Sequence, residues 1–308
     1  PDAKVLPALR RGNVTGALSL GLAPVDADHD AIATLTAAAE GRIELLILLG
    51  ADPLNDCPDA DLARRAVAGA RRILSIDTFA CESTQHADVV LAASAYGEKS
   101  GTTTNLEGRV TTLAQQVTAT GTSRPDWMIA VELGLMTGDR SFGADHPLRG
   151  VSSVTDVTEL IASSVPAFRG ATPDALEAEP NGVVVGAVFD PPATVAFSAP
   201  GRNSYDYRLV VSRKLYDRAV GTQMSRSLVN LAPGSVVHVH PLDLDAIGVV
   251  EGADVKVVSA QAATVLPIRA DASIPRGVVW SPFNQGSGTI EDIIDAGSST
   301  TDVRIERL

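Results

Sequence analysis

Ile43-Glu44-Leu45-Leu46-Ile47-Leu48-Leu49, closed by Gly50, is an apolar run with neither a helical nor an alternating period. Such a run predicts a strand buried on both faces, as in a parallel sheet. Its flanks repeat a rhythm. Asp30 precedes a helical stretch over residues 31–40 and can cap it. Residues 59–70 read as a second helix, with Leu62, Ala66 and Ala70 on one face. Arg72-Ile73-Leu74-Ser75-Ile76-Asp77 and Asp88-Val89-Val90-Leu91-Ala92 read as further strands, and residues 124–137 and 156–164 as further helices. Strands alternating with helices imply an α/β domain, a doubly wound, mostly parallel sheet with right-handed crossovers.

The pattern changes after residue 165. Pro166, Pro173, Pro180, Pro191, Pro192 and Pro200 punctuate a stretch of weak periodicity, which reads as a linker over 166–204. Beyond it come short strand-like runs at 207–212, 235–240, 254–260, 263–270 and 278–282. Between the second and third, Pro241 through Gly248 carry the Pro-first, Gly-last pattern of a short helix. Short strands with Gly/Pro turns suggest a small barrel. The expected organisation is therefore an α/β domain over 1–165, a linker over 166–204 and a β-barrel domain over 205–308.

Composition narrows the function. The 308 residues carry a formal charge of −12, which argues against nucleic acid as a partner. Residues 1–180 hold 14 Lys and Arg against 24 Asp and Glu, and residues 181–308 hold 11 against 13, so the acid is concentrated in the first part. Aromatic residues are 4% of the chain, so its cores must be aliphatic and rich in alanine. No apolar run approaches the roughly 18 residues of a membrane helix, so no direct membrane insertion is expected. Cys57 and Cys81 read as reduced thiols rather than a disulfide. The chain opens on Pro1-Asp2-Ala3-Lys4-Val5-Leu6 and reads as a fragment or processed piece of a longer protein. The step from Ala23-Pro24 into Val25-Asp26-Ala27-Asp28 is abrupt enough to suggest a gap.

Motifs for independent chemistry are absent. There is no Gly-x-Gly-x-x-Gly, for which Gly12 and Gly16 are too widely spaced, and no phosphate loop. An iron–sulfur cluster normally needs four thiolates, and two are present. His238 and His240 share a face of a predicted strand, but no second ligand pair accompanies them, so no metal site is expected. His29, His86 and His146 carry no stronger claim, and no catalytic triad is visible. The strongest local signal is Glu98-Lys99-Ser100-Gly101-Thr102-Thr103-Thr104-Asn105-Leu106-Glu107-Gly108-Arg109. It reads as a loop beyond the end of a strand, where open α/β sheets bind ligands. Gly101 and Gly108 would let the backbone turn, and Asn105 and Arg109 could bind an anion. A self-satisfied polar loop is an equal reading.

These residues resemble the molybdopterin oxidoreductase superfamily. The resemblance rests on Gly50-Ala51-Asp52-Pro53, Asp77-Thr78, Glu82-Ser83, Ala87-Asp88-Val89-Val90-Leu91 and the run from Glu98 to Arg109, in order and spacing. His240-Pro241-Leu242-Asp243, Ile247-Gly248 through Gly252-Ala253-Asp254-Val255, and Pro275-Arg276-Gly277-Val278-Val279 are similar to its C-terminal dinucleotide-binding double-psi barrel. Within the superfamily, Val5 through Asn13 with Gly16-Ala17, and Leu209 through Asp217, resemble the family of G-type iron–sulfur subunits of respiratory complex I, NADH:quinone oxidoreductase.

That resemblance implies a molybdopterin-oxidoreductase-like fold without its catalysis. It implies no catalytic residue, metal or cofactor in this segment, with 4Fe-4S and 2Fe-2S clusters in an N-terminal part outside it. Asp52, Asp77, Glu82, Gly101, Asn105, Arg109 and Arg213 would line a vestigial cleft. The loop would close over that cleft, Arg109 pairing with Glu98 or Glu107. Partners would be the other peripheral-arm subunits of complex I, including those that bind NADH and flavin, at the cytoplasmic face of the bacterial plasma membrane. Departures from the catalytic members support a cofactor-free reading. Ser212-Arg213 stands where those enzymes commonly carry Gly-Arg, Asp217-Arg218 where they carry His-Trp, and Ser281 through Gly288 where they carry aromatic and Asn-Leu-Thr contacts. The alternative is the catalytic subunit of a molybdopterin-dinucleotide enzyme such as a formate-dehydrogenase-like oxidoreductase.

Overall fold

The computed structural model describes residues 12–137, 146–186, 201, 205–286 and 290–308. Most of the opening motif, and residues 187–200 and 202–204 of the expected linker, lie outside the described residues. In chain order the elements begin with α1 (Val14–Ser19), α2 (Ala31–Ala39), β1 (Leu46–Leu49), α3 (Pro53–Asp56), α4 (Ala60–Gly69), β2 (Ile73–Asp77) and β3 (Val89–Ala92). Next are β4 (Gly101–Thr104), β5 (Arg109–Leu113), α5 (Asp126–Thr137), α6 (Val154–Ser164), α7 (Pro173–Ala178) and β6 (Val183–Val184). The last are β7 (Tyr207–Ser212), α8 (Val220–Gln223), β8 (Val237–Val239), α9 (Pro241–Ile247), β9 (Asp254–Val258), β10 (Ala263–Ala270), β11 (Val278–Pro282) and β12 (Thr301–Arg307).

Packing divides the chain into two compact units, Pro1–Asp30 with Leu91–Val195, and Ala31–Val90 with Ala196–Leu308. The helices and strands of residues 31–90 thus group with the barrel rather than with the rest of the α/β segment. Two anchors show why. Asp59, which caps α4 by accepting from Leu62 N, also accepts from Ala296 N and Gln261 Nε2 at 3.2 and 3.4 Å. Arg64 reaches Asp292 at 3.0 Å.

In the second unit, β1 and β2 run parallel with Leu46 opposite Ile73; they belong to a three-stranded sheet of order β1-β2-β3, whose last strand begins at the end of that unit's first segment. Only part of the expected burial of β1 is realised. Leu46 and Leu48 are 5% exposed and cluster with Val67 of α4, whereas Ile47 and Leu49 are 52% and 58% exposed. An unbroken apolar run thus alternates in its surroundings. Residues do not by themselves say which face a neighbour covers.

Helices α2 and α4 pack through small residues, with Leu35, Ala38, Leu62, Ala63 and Ala66 in one buried cluster. Gly69 marks their closest approach, since a Cβ there would stand 2.3 Å from the carbonyl oxygen of Ala38. Gly69→Ala is expected to force the helices apart and to cost about 1–3 kcal/mol, the range of overpacking. A lowered urea midpoint at unchanged slope checks it; an unchanged midpoint would show that the contact gives way freely.

The C-terminal strands close a six-stranded barrel in the order β10-β8-β11-β7-β12-β9. Its pairs are parallel (β10 with β8, β11 with β7) and antiparallel (β10 with β9, β11 with β8, β12 with β7 and β9). Val237, Val239, Val255, Val257, Ile268, Val279, Ile293 and Val303 are fully buried inside it. β-branched residues suit such a surface because their stiff side chains pack on a pleat with little entropy to lose. Helix α9 follows β8 with Pro241 in its first turn and Gly248 as a left-handed C-cap.

In the first unit, β4, β5 and β6 form an antiparallel sheet with Thr104 opposite Val110 and Val110 opposite Val183. The run 98–109 is therefore largely a hairpin rather than a loop. Three successive threonines favour a strand. Gly108 makes the turn with a φ of +79°, while Gly101 sits in β4 without needing a glycine's freedom. Residues 166–186, expected to be linker, are folded. Phe168, Ala171, Leu176 and Val185 are buried with Val110. Pro173 does not break structure here. It occupies the first turn of α7, and Thr172 Oγ1 caps that helix by accepting from Ala175 N.

Candidate functional site

The expected cleft residues are distributed over both units. Gly101, Asn105 and Arg109 belong to the hairpin of the first, and Asp52, Asp77, Glu82 and Arg213 to the second. In the hairpin, Asn105 Oδ1 accepts from Glu107 N and Arg109 N, both at 2.9 Å. Arg109 donates to the Gly182 carbonyl at 3.3 Å and lies 3.7 Å from Glu107. Glu98 turns elsewhere, accepting from Ala95 N at 2.9 Å.

In the second unit the turn after β1 is tied to the turn after β2. Buried Asp52 accepts from Ser83 Oγ at 2.5 Å, Ser83 N at 3.1 Å and Asn55 Nδ2 at 2.6 Å. Asp77 accepts from Phe79 N at 3.1 Å and closes its own turn. Glu82 is exposed and lines a cleft of about 310 Å³. One wall comes from the loops after β1 and β2 and from α4, with Asn55, Cys57, Arg64 and Glu82. The other comes from the barrel's loops, with Arg218, Gln223, Asn284, Gly286, Glu291 and Asp292. Cys57 and Cys81 are free, buried thiols, and burial pushes both above the ordinary cysteine value.

Arg213 stands beside this cleft at the end of β7, held on three sides. It donates to Asp217 and Asp56 at 2.7 Å each, and its guanidinium lies 4.5 Å from the centre of the Phe283 ring. Sequence reasoning named Arg213 but missed Asp56, its partner 157 residues away. It also missed Asn284 and Glu291. Asn284 has a φ of +53°, its N–H donates to the Glu291 carboxylate, and its Nδ2 is buried without a partner among the described residues. The Pro-Phe-Asn-Gln-Gly composition of 282–286 was the available signal for a turn there. At Gly286, φ +104°, a Cβ would stand 2.8 Å from Arg218 Nε, so the glycine lets Arg218 lie against the loop.

Glu291 is the buried acid of the cleft wall, and loss of hydration raises its pKa above the ordinary 4.5. The fold therefore favours the protonated form. Its contribution to stability is full below pH 4.5 and is lost as pH rises through the raised value. Glu291→Gln keeps an acceptor for Asn284 N and removes the charge. It is expected to raise the unfolding midpoint at neutral pH and to leave it unchanged in acid. Equal shifts at both pH values would show that ionisation is not the cause.

Residues 8–135 match the family model described as Molybdopterin oxidoreductase, and residues 207–304 that described as Molydopterin dinucleotide binding domain. The chain is thus built from a molybdopterin oxidoreductase domain and a dinucleotide-binding domain of that class. Among curated relatives, it is 24% identical to the alpha subunit of an NADPH-Fe(3+) oxidoreductase of Geobacter sulfurreducens, over 98% of this chain and 37% of the relative. It is 27% identical to the G 2 subunit of an NADH-quinone oxidoreductase of Rhizobium meliloti, over 92% and 32%. It is 23% identical to the alpha subunit of an F420-dependent formate dehydrogenase 1 of Methanococcus maripaludis, over 92% and 48%. The chain therefore spans a third to a half of these relatives. Acetylene hydratase from Pelobacter acetylenicus shares the fold, with a TM-score of 0.69 at 14% identity over 90% of this chain and 46% of that one.

The dinucleotide that this class implies carries a pyrophosphate, which needs unspent donors and positive potential. The charged groups on the cleft do not fit that demand. Arg64 is bound to Asp292, and Arg213 to Asp56 and Asp217. Arg218 lines the same space as Glu82 and Glu291. Even with Glu291 protonated, the lining Arg64 and Arg218 only balance Glu82 and Asp292.

Proposed function

We propose that this chain is a cofactor-free structural region of an oxidoreductase subunit, of the G type found in respiratory complex I. In that reading it supports electron transfer from NADH to quinone by iron–sulfur clusters elsewhere in the parent protein. The observation that carries the reading is the clamp on Arg213. A cation beside the dinucleotide cleft is committed to two carboxylates of its own chain at 2.7 Å. The 27% identity to a G-type component of an NADH-quinone oxidoreductase and the oxidoreductase subunits among the relatives agree with it. Its partners are then the neighbouring peripheral-arm subunits, including those holding NADH and flavin, at the cytoplasmic face of the membrane. No helix among the described residues is long and apolar enough to cross that membrane.

A second reading, a catalytic subunit of the formate-dehydrogenase kind, is favoured by a different observation. Asn284 Nδ2 lacks a partner on the cleft wall, and Arg218 beside it has no carboxylate ion pair among the described residues. Molybdenum and tungsten analysis of the purified full-length parent protein, with pterin fluorescence after oxidative release, separates the two. The structural reading expects iron and acid-labile sulfide without pterin or either metal. Stoichiometric molybdenum or tungsten with pterin would replace it by the catalytic one.

A further inference from the structure

On the outer face of the barrel, strand register places three side chains in a row. Arg269 of β10 is opposite His238 of β8, and His238 is opposite Trp280 of β11. Their strand neighbours Val237, Val239 and Val279 are fully buried, so the alternation of a strand turns this row outward. The two rings lie 4.9 Å apart at 56°, and Trp280 Nε1 donates to Ser212 Oγ at 2.8 Å. That bond fixes the indole plane, and it depends on the Ser212 hydroxyl. Lys214 holds its ammonium 4.5 Å from the centre of the Trp280 ring. Together with prolines 267 and 282 these residues line a hollow of about 380 Å³ that shares no residue with the cleft described above.

The hollow has the composition of a small-molecule site. Its walls are mostly apolar, with a few polar groups at the rim, and its volume lies in the range of ligand pockets. Neither Lys214 nor Arg269 forms a close carboxylate ion pair among the described residues, though the charge of Lys214 acts on Asp271 nearby. Asp271 approaches His238 Nδ1 at 3.9 Å, too far for a hydrogen bond, and Nδ1 is buried without a partner. Asp271 spends its Oδ1 on Ser273 N and Oγ, and Glu251 also acts on His238. Burial pushes His238 below the ordinary histidine value, which keeps the ring neutral for stacking near pH 7.

We infer that this hollow is a binding site for a flat heteroaromatic ring carrying one anionic group, of mononucleotide size. The ring lies against Trp280 and His238, and the anion reaches Lys214 and Arg269. Aromatic faces hold any planar ring, while a guanidinium and an ammonium select for the anion.

The test uses the full chain with Trp127→Phe, which leaves Trp280 as its one tryptophan. Adenosine 5′-monophosphate is the probe, titrated while the indole emission is followed; adenosine and ribose 5-phosphate are its two halves. Saturable quenching by the nucleotide is expected, with each half binding more weakly. Lys214→Ala and Arg269→Ala should each weaken it by about tenfold, the loss of one charge-assisted contact. Arg218→Ala, in the other cleft, should leave it unchanged. Absence of quenching at millimolar nucleotide would overturn the proposal. So would adenosine binding as tightly as the nucleotide, or a nucleotide affinity that follows Arg218 and ignores Lys214 and Arg269.

Discussion

Arg213→Ala is expected to destabilise the second unit by about 3 kcal/mol, the low end for breaking a buried ion pair. The side chain is 17% exposed, and its partners Asp217 and Asp56 are 8% and 30% exposed. Removing the guanidinium strands two carboxylates, one of them almost out of water, and also removes the cation stacked on Phe283. The partial exposure of Asp56 is why the low end applies. Unfolding in urea measures the loss. The double variant Arg213→Ala with Asp217→Ala should recover part of it, because the stranded charge is gone. A shift below about 1 kcal/mol for the single variant, the value of a surface pair, would mean that Arg213 is not clamped. It would then be available to an anion, and the structural reading of the cleft would lose its main support.

Ile268→Ala should cost about 4 kcal/mol, and Ile268→Val about 1 kcal/mol. Ile268 is fully buried, lies opposite Val237 and donates its N–H to Ala253 O at 2.9 Å. Truncation to alanine leaves a hole lined by β-branched residues that cannot collapse to fill it. A closed barrel has no edge strand that can shift inward. The check is the urea midpoint at constant slope. Equal effects of the two substitutions would show that the barrel relaxes around the site.

The parts of this fold that were legible in the sequence are those set by local patterns. The apolar runs at 43–49, 72–77 and 88–92 became β1, β2 and β3, and the Pro241-to-Gly248 punctuation became α9. Five of the barrel's six strands were legible because β-branched residues alternate there with polar ones, whereas β12 (Thr301–Arg307) was not named from the sequence. Long-range relations were not legible. Nothing near Arg213 in the sequence points to Asp56, and nothing in α4 points to Ala296. Pro166 and Pro173 suggested a linker because proline stops a helix, yet Pro173 starts one where Thr172 supplies the cap. His240 was expected to share a strand face with His238; β8 instead ends at Val239, and His240 Nδ1 accepts from Leu242 N at 3.1 Å and caps α9. Of the site, Asp52, Glu82 and Arg213 could be named but not their commitments, which depend on tertiary packing.

The return of residues 31–90 to the barrel bears on how such a protein can be rebuilt by recombination. A cassette cut at residue 205 would carry all six barrel strands yet leave behind Asp59 and Arg64, which fasten α4 to Ala296, Gln261 and Asp292. Exchange between related genes would therefore preserve fitness only when the early segment travels with the late one. The two stretches, far apart in the gene, should be inherited as a matched set.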